Sequence, residues 1–251
     1  MIYFIGAGPG DSELITLKGA RILSEADVVI YAGSLVNPEI LNKCRPGAEI
    51  YNSAGMNLEE VLEVMFRANR EGKTVARLHT GDPSIYGAIQ EQMDSLSEKG
   101  IDFNVVPGVS SFFAAAAAIP HELTLPEVSQ TVILTRLEGR TPVPGSEKLS
   151  DLARHRCTMC IFLSVNQMDR VVEELLEGGY SGETGVVVVE KASWPDQRII
   201  KGNLLNISEK VQEAGIKRQA LIMVGDVFGG EYSRSKLYDG SFSHGFREKT
   251  K

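Results

Sequence analysis

The sequence predicts an α/β fold of two domains, the first on a parallel sheet and the second on a mixed sheet, with a ligand cleft between them. Three observations support this class. The N-terminal half alternates short β-branched runs with amphipathic segments of helical period, which is typical of βαβ units. Pro120 ends this alternation, and a connector without clear period follows. A second alternation then begins, and two of its predicted strands lie too close in sequence for a crossover helix.

The first domain is predicted to alternate strands and helices from its first residues. The expected strands are IYFIG (2–6), DVVIYAG (27–33), AEIYNS (48–53), TVARLH (74–79) and IDFNVVPG (101–108). The expected helices are SELITLKGARILSEA (12–26), NLEEVLEVMFRANREGK (57–73), AIQEQMDSLSEKG (88–100) and VSSFFAAAAAIP (109–120). Asn57 is a typical helix start, Gly72 and Gly100 are typical helix stops, and Pro120 ends the alanine-rich helix. This order predicts a parallel sheet that helices cover on both faces.

The second domain repeats the alternation with one exception. Its expected strands are QTVILTR (130–136), CTMCIFLS (157–164), TGVVVVEKA (184–192), QRIIKG (197–202) and ALIMVGDVF (220–228). Its expected helices are EKLSDLARH (147–155), MDRVVEELLEGG (168–179) and NLLNISEKVQEAG (203–215). Only SWPD (193–196) separates the third and fourth strands, so these should pair antiparallel and make the sheet mixed. The predicted domains are 1–119 and 120–232, followed by a polar tail, 233–251, that is expected to be a loop or an arm contacting a partner.

Composition and charge exclude several classes of protein. The net charge of −7 gives no general attraction to nucleic acid or to an anionic membrane surface. No apolar run approaches the ~20 residues that span a bilayer. The N-terminus has no basic region of the kind that opens a signal peptide. A cytoplasmic protein without nucleic-acid or membrane partners is therefore expected.

The cysteines do not predict a metal site. Cys157 and Cys160 form a C-x-x-C pair inside a predicted strand. Residues three apart on a strand point to opposite faces, so the pair would clamp a metal poorly and packing is the favoured role. The four histidines are scattered without the spacing of metal ligands. The expectation is that the protein holds no metal of its own.

The glycine loop GAGPGD (6–11) raises a choice between two kinds of nucleotide site. A dinucleotide-binding unit would carry G-x-G-x-x-G and an acidic residue at the end of its second strand. Here Asp11 stands where the third glycine belongs, the second strand ends without an acid, and Pro9 removes one backbone donor. This disfavours NAD. Close approach of another ligand to the backbone and a plain tight turn both stay open.

Two more glycine-bearing loops, TGDPSIYG (80–87) and VVPGVSS (105–111), follow predicted strands of the same sheet. Because ligands of open α/β sheets bind at the carboxyl ends of the strands, all three loops should lie at one edge. Asp82 could accept hydrogen bonds from a ligand or could cap the next helix. Three such loops at one edge predict a site more strongly than any of them alone.

The same loops carry a family resemblance. GAGPGD, GDPSIYG and VVPGVSS, in this order and spacing, resemble the tetrapyrrole methylases, which transfer methyl from S-adenosylmethionine to precorrins, and the resemblance runs nearly end to end. The later stretches YAGSLVNPE, AGMNLEE, LTRLEGRTPVP and RSKLYDGSFSHGFR are similar to the branch of this family that methylates precorrin-4 or cobalt-precorrin-4 at C11. The resemblance implies a homodimeric C-methyltransferase of cobalamin biosynthesis, which would yield (cobalt-)precorrin-5 and S-adenosylhomocysteine.

The resemblance also implies which residues line a cofactor folded between the two domains. Carried over position by position, they are Pro9, Thr80, Gly81, Asp82, Ile85, Ser110, Ser111, Leu163 and Ala192. The alternative for Leu163 and Ala192 is ordinary core packing. The uroporphyrinogen branch of the family has an acid just after the second strand, and this chain has Tyr31, Ala32 and Gly33 in that region, so no general base is assigned.

The expected tetrapyrrole carries many carboxylates, so basic side chains should gather at the mouth of the cleft. Arg136 and Arg140 are the first choices, because guanidinium groups match carboxylates. Arg77, His79 and Arg198 are weaker candidates. Arg136 and Arg140 could instead be solvated surface residues, and Glu138 could pair with one of them.

Four functions remain to be separated. The first is methylation at C11 of precorrin-4. The second is methylation at another precorrin position or on a protein side chain by the same fold. The third is a sensor that binds S-adenosylmethionine or a tetrapyrrole without turnover, and the fourth is an NAD-dependent oxidoreductase. Turnover separates the first two from the sensor, and affinity for NAD over S-adenosylhomocysteine would favour the last.

Overall fold

The computed structural model describes residues 1–229, 232–235, 241–243 and 245–248. The contacts divide the chain into two compact units. The N-terminal unit consists of Met1–Ala118 together with Lys191–Gln197, and the C-terminal unit of Ile119–Glu190 together with Arg198–Lys251. The division into 1–119, 120–232 and 233–251 stays a prediction. The contacts add that Lys191–Gln197, although late in sequence, groups with the N-terminal unit.

The N-terminal unit is built on a five-stranded sheet. Its strands are β1 (Ile2–Gly6), β2 (Val28–Tyr31), β3 (Glu49–Asn52), β4 (Val75–His79) and β5 (Phe103–Val106). Its helices are α1 (Leu17–Glu25), α2 (Leu58–Arg70), α3 (Gln90–Glu98) and α4 (Ser111–Ala118). The strand order is β3-β2-β4-β1-β5, and every pair is parallel. The predicted parallel sheet is confirmed.

Neighbouring residues of the central strands enter different hydrophobic clusters. Phe4 and Ile30 belong to one cluster, whereas Ile5 and Val29 belong to the other. This follows from the two-residue period of a strand, which sends successive side chains to opposite faces. Both faces are therefore covered, and β4 is buried along its whole length. Double coverage explains why these strands read as continuous apolar runs.

The first helix begins later than the sequence predicts. Residues Ser12–Leu14 form a separate 3₁₀ turn, and the start of the helix predicted at Ser12 was wrong. Thr16 has an extended backbone, and its Oγ1 accepts a hydrogen bond from the Gly19 amide at 3.1 Å, which caps α1. Leu17 is 92% exposed, so it is not part of the buried face of the helix, and its helical spacing from the other apolar residues is a coincidence. Helix α2 begins at Asn57 as predicted, with a capping box to Glu60.

The C-terminal unit is built on a second five-stranded sheet. Its strands are β6 (Val132–Arg136), β7 (Thr158–Phe162), β8 (Gly185–Glu190), β9 (Arg198–Asn203) and β10 (Ala220–Val224). Its helices are α5 (Leu149–Ala153), α6 (Met168–Glu177) and α7 (Ile207–Glu213). The order is β6-β7-β10-β8-β9. Among the described strands, β6 and β7 pair in parallel and the other pairs are antiparallel, including the predicted pair of β8 with β9, so the predicted mixed sheet is confirmed.

The two cysteines of the C-x-x-C pair are both buried. Burial raises the pKa of the Cys160 thiol to about 12, so the free thiol is neutral at physiological pH. Within the part of the chain that the structure describes, no group of three or more His, Cys, Asp or Glu could hold a metal ion. His244 lies outside the described residues.

No helix in the described ranges is both long and apolar enough to cross a membrane. The predicted tail 233–251 falls partly outside the described residues, as does the RSKLYDGSFSHGFR stretch.

Candidate active site

Three loops meet at the carboxyl edge of the parallel sheet. They follow the adjacent strands β4, β1 and β5, and the chain forms a short antiparallel bridge between the first two. The Gly81 amide donates to the Gly8 carbonyl at 2.8 Å, and the Gly8 amide donates to the Gly81 carbonyl at 3.3 Å. Both residues have positive φ, 79° at Gly8 and 62° at Gly81, which glycine adopts without the steric cost of a side chain. The structure thus brings together the loops that the sequence places at one edge.

The close approach of these loops depends on Gly6 and Gly108, where a Cβ atom would collide with neighbouring backbone, and on the positive φ of Gly81. A Cβ atom at Gly6 would lie 2.5 Å from the Gly108 Cα and 2.6 Å from the Gly81 carbonyl oxygen. A Cβ atom at Gly108 would lie 2.2 Å from the same oxygen. All of these neighbours are backbone atoms, which cannot rotate away. We call Gly6, Gly81 and Gly108 the glycine junction.

Asp82 fastens the second loop to the third. Its Oδ2 accepts a hydrogen bond from the Gly108 amide at 2.8 Å, and its Oδ1 accepts one from the Ser84 amide at 2.8 Å. Helix α3 begins at Gln90, with Ile89 at its N-cap, so Asp82 does not cap it and that alternative was wrong. Both carboxylate oxygens have backbone partners. A role for Asp82 in binding a ligand stays a prediction.

The first loop has a partner that the sequence did not reveal. The indole Nε1 of Trp194 donates to the Pro9 carbonyl at 3.0 Å, and the Asp11 amide donates to the Ser193 hydroxyl at 3.0 Å. A Cβ atom at Gly10 would lie 2.0 Å from Cδ1 of Trp194. The last glycine of GAGPGD therefore makes room for an indole ring. This contact gives Gly10 a structural role that needs no bound nucleotide.

All the predicted cofactor residues except Leu163 belong to the N-terminal unit. Ser110 is buried just before α4, Ser111 is the first residue of that helix, and Thr80 and Ile85 are half-buried. Ala192 is buried in the Lys191–Gln197 segment. The structure brings the three loops together, but whether these residues bind a cofactor stays a prediction.

Leu163 belongs to the C-terminal unit and directly follows β7. Its side chain is 64% exposed and its φ is 55°, a left-handed conformation that is uncommon for a branched residue. Ordinary core packing does not account for such a residue. An exposed apolar side chain on strained backbone is typical of a functional position.

Neither arginine of LTRLEGRTPVP pairs with Glu138. Arg136 donates from Nη2 to the Pro142 carbonyl at 2.7 Å and from Nη1 to the Thr141 carbonyl at 3.1 Å, so it shapes its own loop. Glu138 lies 3.9 Å from Arg170 instead. Arg140 is exposed and makes no hydrogen bond or ion pair with any described residue.

Two of the weaker basic candidates lie inside the N-terminal unit. Arg77 donates from Nη1 to the Ser53 hydroxyl at 3.0 Å, and burial lowers the pKa of Arg77 to about 10, which leaves it charged at neutral pH. The His79 side chain is buried, and its Nε2 has no hydrogen-bond partner among the described residues. Burial, assisted by the charge of Arg77, lowers the pKa of His79 to about 3. Arg198, in the other unit, pairs with Glu190 at 2.6 Å.

The buried neutral state of His79 predicts a pH-dependent stability. Below the ordinary histidine pKa of about 6.5, the unfolded chain protonates His79 and the folded chain does not, so the free energy of unfolding falls as pH falls toward 3. Between pH 7 and pH 5 this loss should be about 2 kcal/mol. The free energy of unfolding is measured by urea denaturation at each pH, and its slope against pH is compared between variants. His79→Gln should remove the part of this slope that His79 contributes. The exposed control His155→Gln should keep the wild-type slope, and an unchanged slope in both variants would contradict the assignment.

Comparisons with known proteins agree on one family. The family model described as Tetrapyrrole (Corrin/Porphyrin) Methylases matches residues 1–208. The cobalt-precorrin-4 C(11)-methyltransferase of Methanocaldococcus jannaschii is 60% identical over 251 residues, covering 100% of this chain and 97% of that protein. The X-ray structure of a cobalamin biosynthetic enzyme, cobalt precorrin-4 methyltransferase, superposes with a TM-score of 0.89 at 52% identity, over 91% of this chain and 96% of that chain. A uroporphyrin-III C-methyltransferase from Thermus thermophilus in complex with S-adenosylhomocysteine gives a TM-score of 0.76 at 31% identity, over 90% and 97% of the two chains.

Proposed function

The chain belongs to the tetrapyrrole (corrin/porphyrin) methylases, and on that premise we propose that it transfers the methyl group of S-adenosylmethionine to C11 of cobalt-precorrin-4. The product would be cobalt-precorrin-5, an intermediate of cobalamin biosynthesis. The observation that carries the proposal is the 60% identity with a relative of that name over the whole chain. A cytoplasmic location and a homodimer are part of the proposal; the location rests on the sequence features described above, and the homodimer rests on the family resemblance.

The N-terminal unit fits such a methyl donor chemically. S-adenosylmethionine supplies a methyl group that is already activated on a positively charged sulfur. Because that charge is lost during transfer, a free carboxylate beside it would stabilise the ground state more than the transition state. The three loops instead present glycine, proline and serine. The one carboxylate among the proposed contacts, Asp82, accepts two backbone hydrogen bonds.

The chain's contribution to the reaction is then mainly alignment. Reacting atoms must be held within roughly 3–3.5 Å of each other, in line. The glycine junction and the hydrogen bond from the Gly108 amide to Asp82 fix the relative positions of the loops that carry Thr80, Gly81, Ser110 and Ser111. A site held by backbone contacts of this kind does not have to reorganise when the reaction occurs. No general base is assigned.

Substrate carboxylates are proposed to bind Arg136 and Arg140. Arg140 is exposed and has no described partner, so its guanidinium is available. Arg136 holds the loop that carries Arg140 through its bonds to the Thr141 and Pro142 carbonyls. A protein of net charge −7 needs such a local basic group to accept an anionic ring.

The test is a single-turnover assay with methyl-labelled S-adenosylmethionine. Cobalt-precorrin-4 and metal-free precorrin-4 are offered separately, and the labelled carbon is located by NMR. We expect label at C11, with the cobalt ring preferred. Transfer to another ring carbon would replace the C11 assignment, and cofactor binding without transfer to either ring would favour the sensor.

The same assay tests the substrate contact. Arg140→Ala should raise the apparent KM for the ring about 5- to 10-fold, as expected for one lost charge-assisted hydrogen bond of about 1–1.5 kcal/mol. The control is Arg154→Ala, an arginine of the same unit that pairs with Asp151 at the surface. Equal KM values for both variants would show that Arg140 does not contact the substrate.

A further inference from the structure

The segment Lys191–Gln197 joins β8 to β9 and packs within the N-terminal unit. Its own backbone forms a compact turn, in which the Trp194 amide donates to the Lys191 carbonyl at 2.9 Å and the Ser193 amide to Gln197 Oε1 at 2.8 Å. Lys191 and Ser193 have φ values of 49° and 69°. Two non-glycine residues in left-handed conformations cost folding free energy, and such strain is kept where the surrounding contacts fix it.

Two hydrogen bonds and a close ring contact join this segment to the GAGPGD loop. Trp194 donates to the Pro9 carbonyl, and Ser193 accepts from the Asp11 amide. The indole ring lies against Gly10, where any Cβ atom would collide with it. The Lys191 ammonium lies 5.7 Å from the centre of the indole ring and pairs with Asp196, which holds the ring from within the segment. The ring is therefore held by its N–H group, by the glycine and by its own turn.

Two of the proposed cofactor contacts lie beside these bonds. Pro9 is itself the acceptor of the indole hydrogen bond, and Ala192 directly precedes Ser193. The same pair of hydrogen bonds thus sets the distance between Pro9 and Ala192, two residues proposed to line the cofactor site. Residues that are fixed before binding lower the conformational entropy that the protein must lose on association.

We propose that Trp194 and Ser193 are positioning residues that hold Pro9 and Ala192 in the arrangement that binds the cofactor. This inference rests on the proposed function, because it takes Pro9 and Ala192 as cofactor contacts. Trp194 acts through the Pro9 carbonyl and the face of Gly10, and Ser193 acts through the Asp11 amide. Neither residue needs to touch the reacting atoms.

Trp194 is the single tryptophan of the chain, so its emission reports this position alone. The experiment titrates the full-length protein with S-adenosylhomocysteine and follows Trp194 emission and heat of binding in parallel. We expect the emission to change and to saturate with the calorimetric Kd. A tryptophan that only stabilised a distant part of the fold would not give this signature.

Three variants separate positioning from general stability. Trp194→Phe keeps a ring but loses the donor to Pro9, and Ser193→Ala keeps the tryptophan but loses the acceptor for Asp11. Each should raise the Kd for S-adenosylhomocysteine about 5-fold, the factor that corresponds to one hydrogen bond. Glu63→Gln is the control, because Glu63 is an exposed residue of the same unit that pairs with Arg70 on the surface of α2, and it should change the Kd less than 2-fold.

The outcomes distinguish this inference from the function on which it rests. A wild-type protein that binds no S-adenosylhomocysteine by calorimetry would overturn the proposed function, and the positioning role with it. Tight wild-type binding with silent Trp194 emission and unchanged Kd values in Trp194→Phe and Ser193→Ala would overturn only the positioning role. If Trp194→Phe does not fold, the Kd of Ser193→Ala still tests the positioning role.

Discussion

Replacing Gly108 with alanine is expected to destabilise the protein by about 3 kcal/mol or more and to abolish binding of S-adenosylhomocysteine. The new Cβ atom would lie 2.2 Å from the Gly81 carbonyl oxygen and 2.7 Å from the Gly6 Cα. Overpacked side chains can often rotate to relieve a collision, but these neighbours are backbone atoms of adjoining strand ends. The second and third loops would have to separate, which also lengthens the bond from Asp82 to the Gly108 amide.

The measurement is urea denaturation of Gly108→Ala together with calorimetric titration of S-adenosylhomocysteine. Gly55→Ala is the matched control, since a Cβ atom there has nothing within 4 Å and the residue belongs to the same unit. It should stay within about 0.5 kcal/mol of wild type. A Gly108→Ala protein with wild-type stability and affinity would mean that the glycine junction is not as tight as described.

Removing the carboxylate of Asp82 should cost about 2–4 kcal/mol of stability, because two charge-assisted hydrogen bonds to backbone amides are lost. Asp82→Ala leaves the Gly108 and Ser84 amides without their acceptors. Asp82→Asn keeps one acceptor oxygen and turns an NH₂ group toward the other amide, so it should retain the bond to only one of them. The two variants should therefore form a graded series, with asparagine between wild type and alanine.

The series is read by urea denaturation and by the Kd for S-adenosylhomocysteine. If Asp82 acts by tying the loops, the loss of affinity should follow the loss of stability across the two variants. If Asp82 instead contacts the cofactor directly, affinity should collapse in both variants while asparagine largely preserves stability. Equal stability of all three proteins would contradict the tie between the loops.

The edge of the parallel sheet could be predicted from sequence, because parallel strands end at a common edge and each loop follows its strand directly. The glycines there also indicated close backbone approach. The partner of Gly10 could not be predicted, since Trp194 is 185 residues away from Pro9 in the chain and no local pattern pairs them. The start of α1 was misjudged because Leu14 and Leu17 match a helical period by chance, whereas Thr16 decides the start through its cap.

Charge pairing was equally hard to infer from sequence. Glu138 lies between two arginines in sequence, yet its side chain lies near Arg170 on α6. Neighbours in an extended loop point in different directions, so proximity in sequence is a weak guide to ion pairs there. The exposure of Leu163 could not be predicted from sequence either, because an apolar residue that follows a buried strand is compatible with both core and surface positions.

The discontinuity of the N-terminal unit has a consequence for the order of events during synthesis. All five strands of the parallel sheet lie within Met1–Ala118, so the sheet can form as soon as that stretch has left the ribosome. The contacts of Gly10 with Trp194 and of the Asp11 amide with Ser193, however, can form only after those two residues have been synthesised, much later in the chain. Until then the first loop lacks the indole ring and the hydroxyl that contact it in the complete chain.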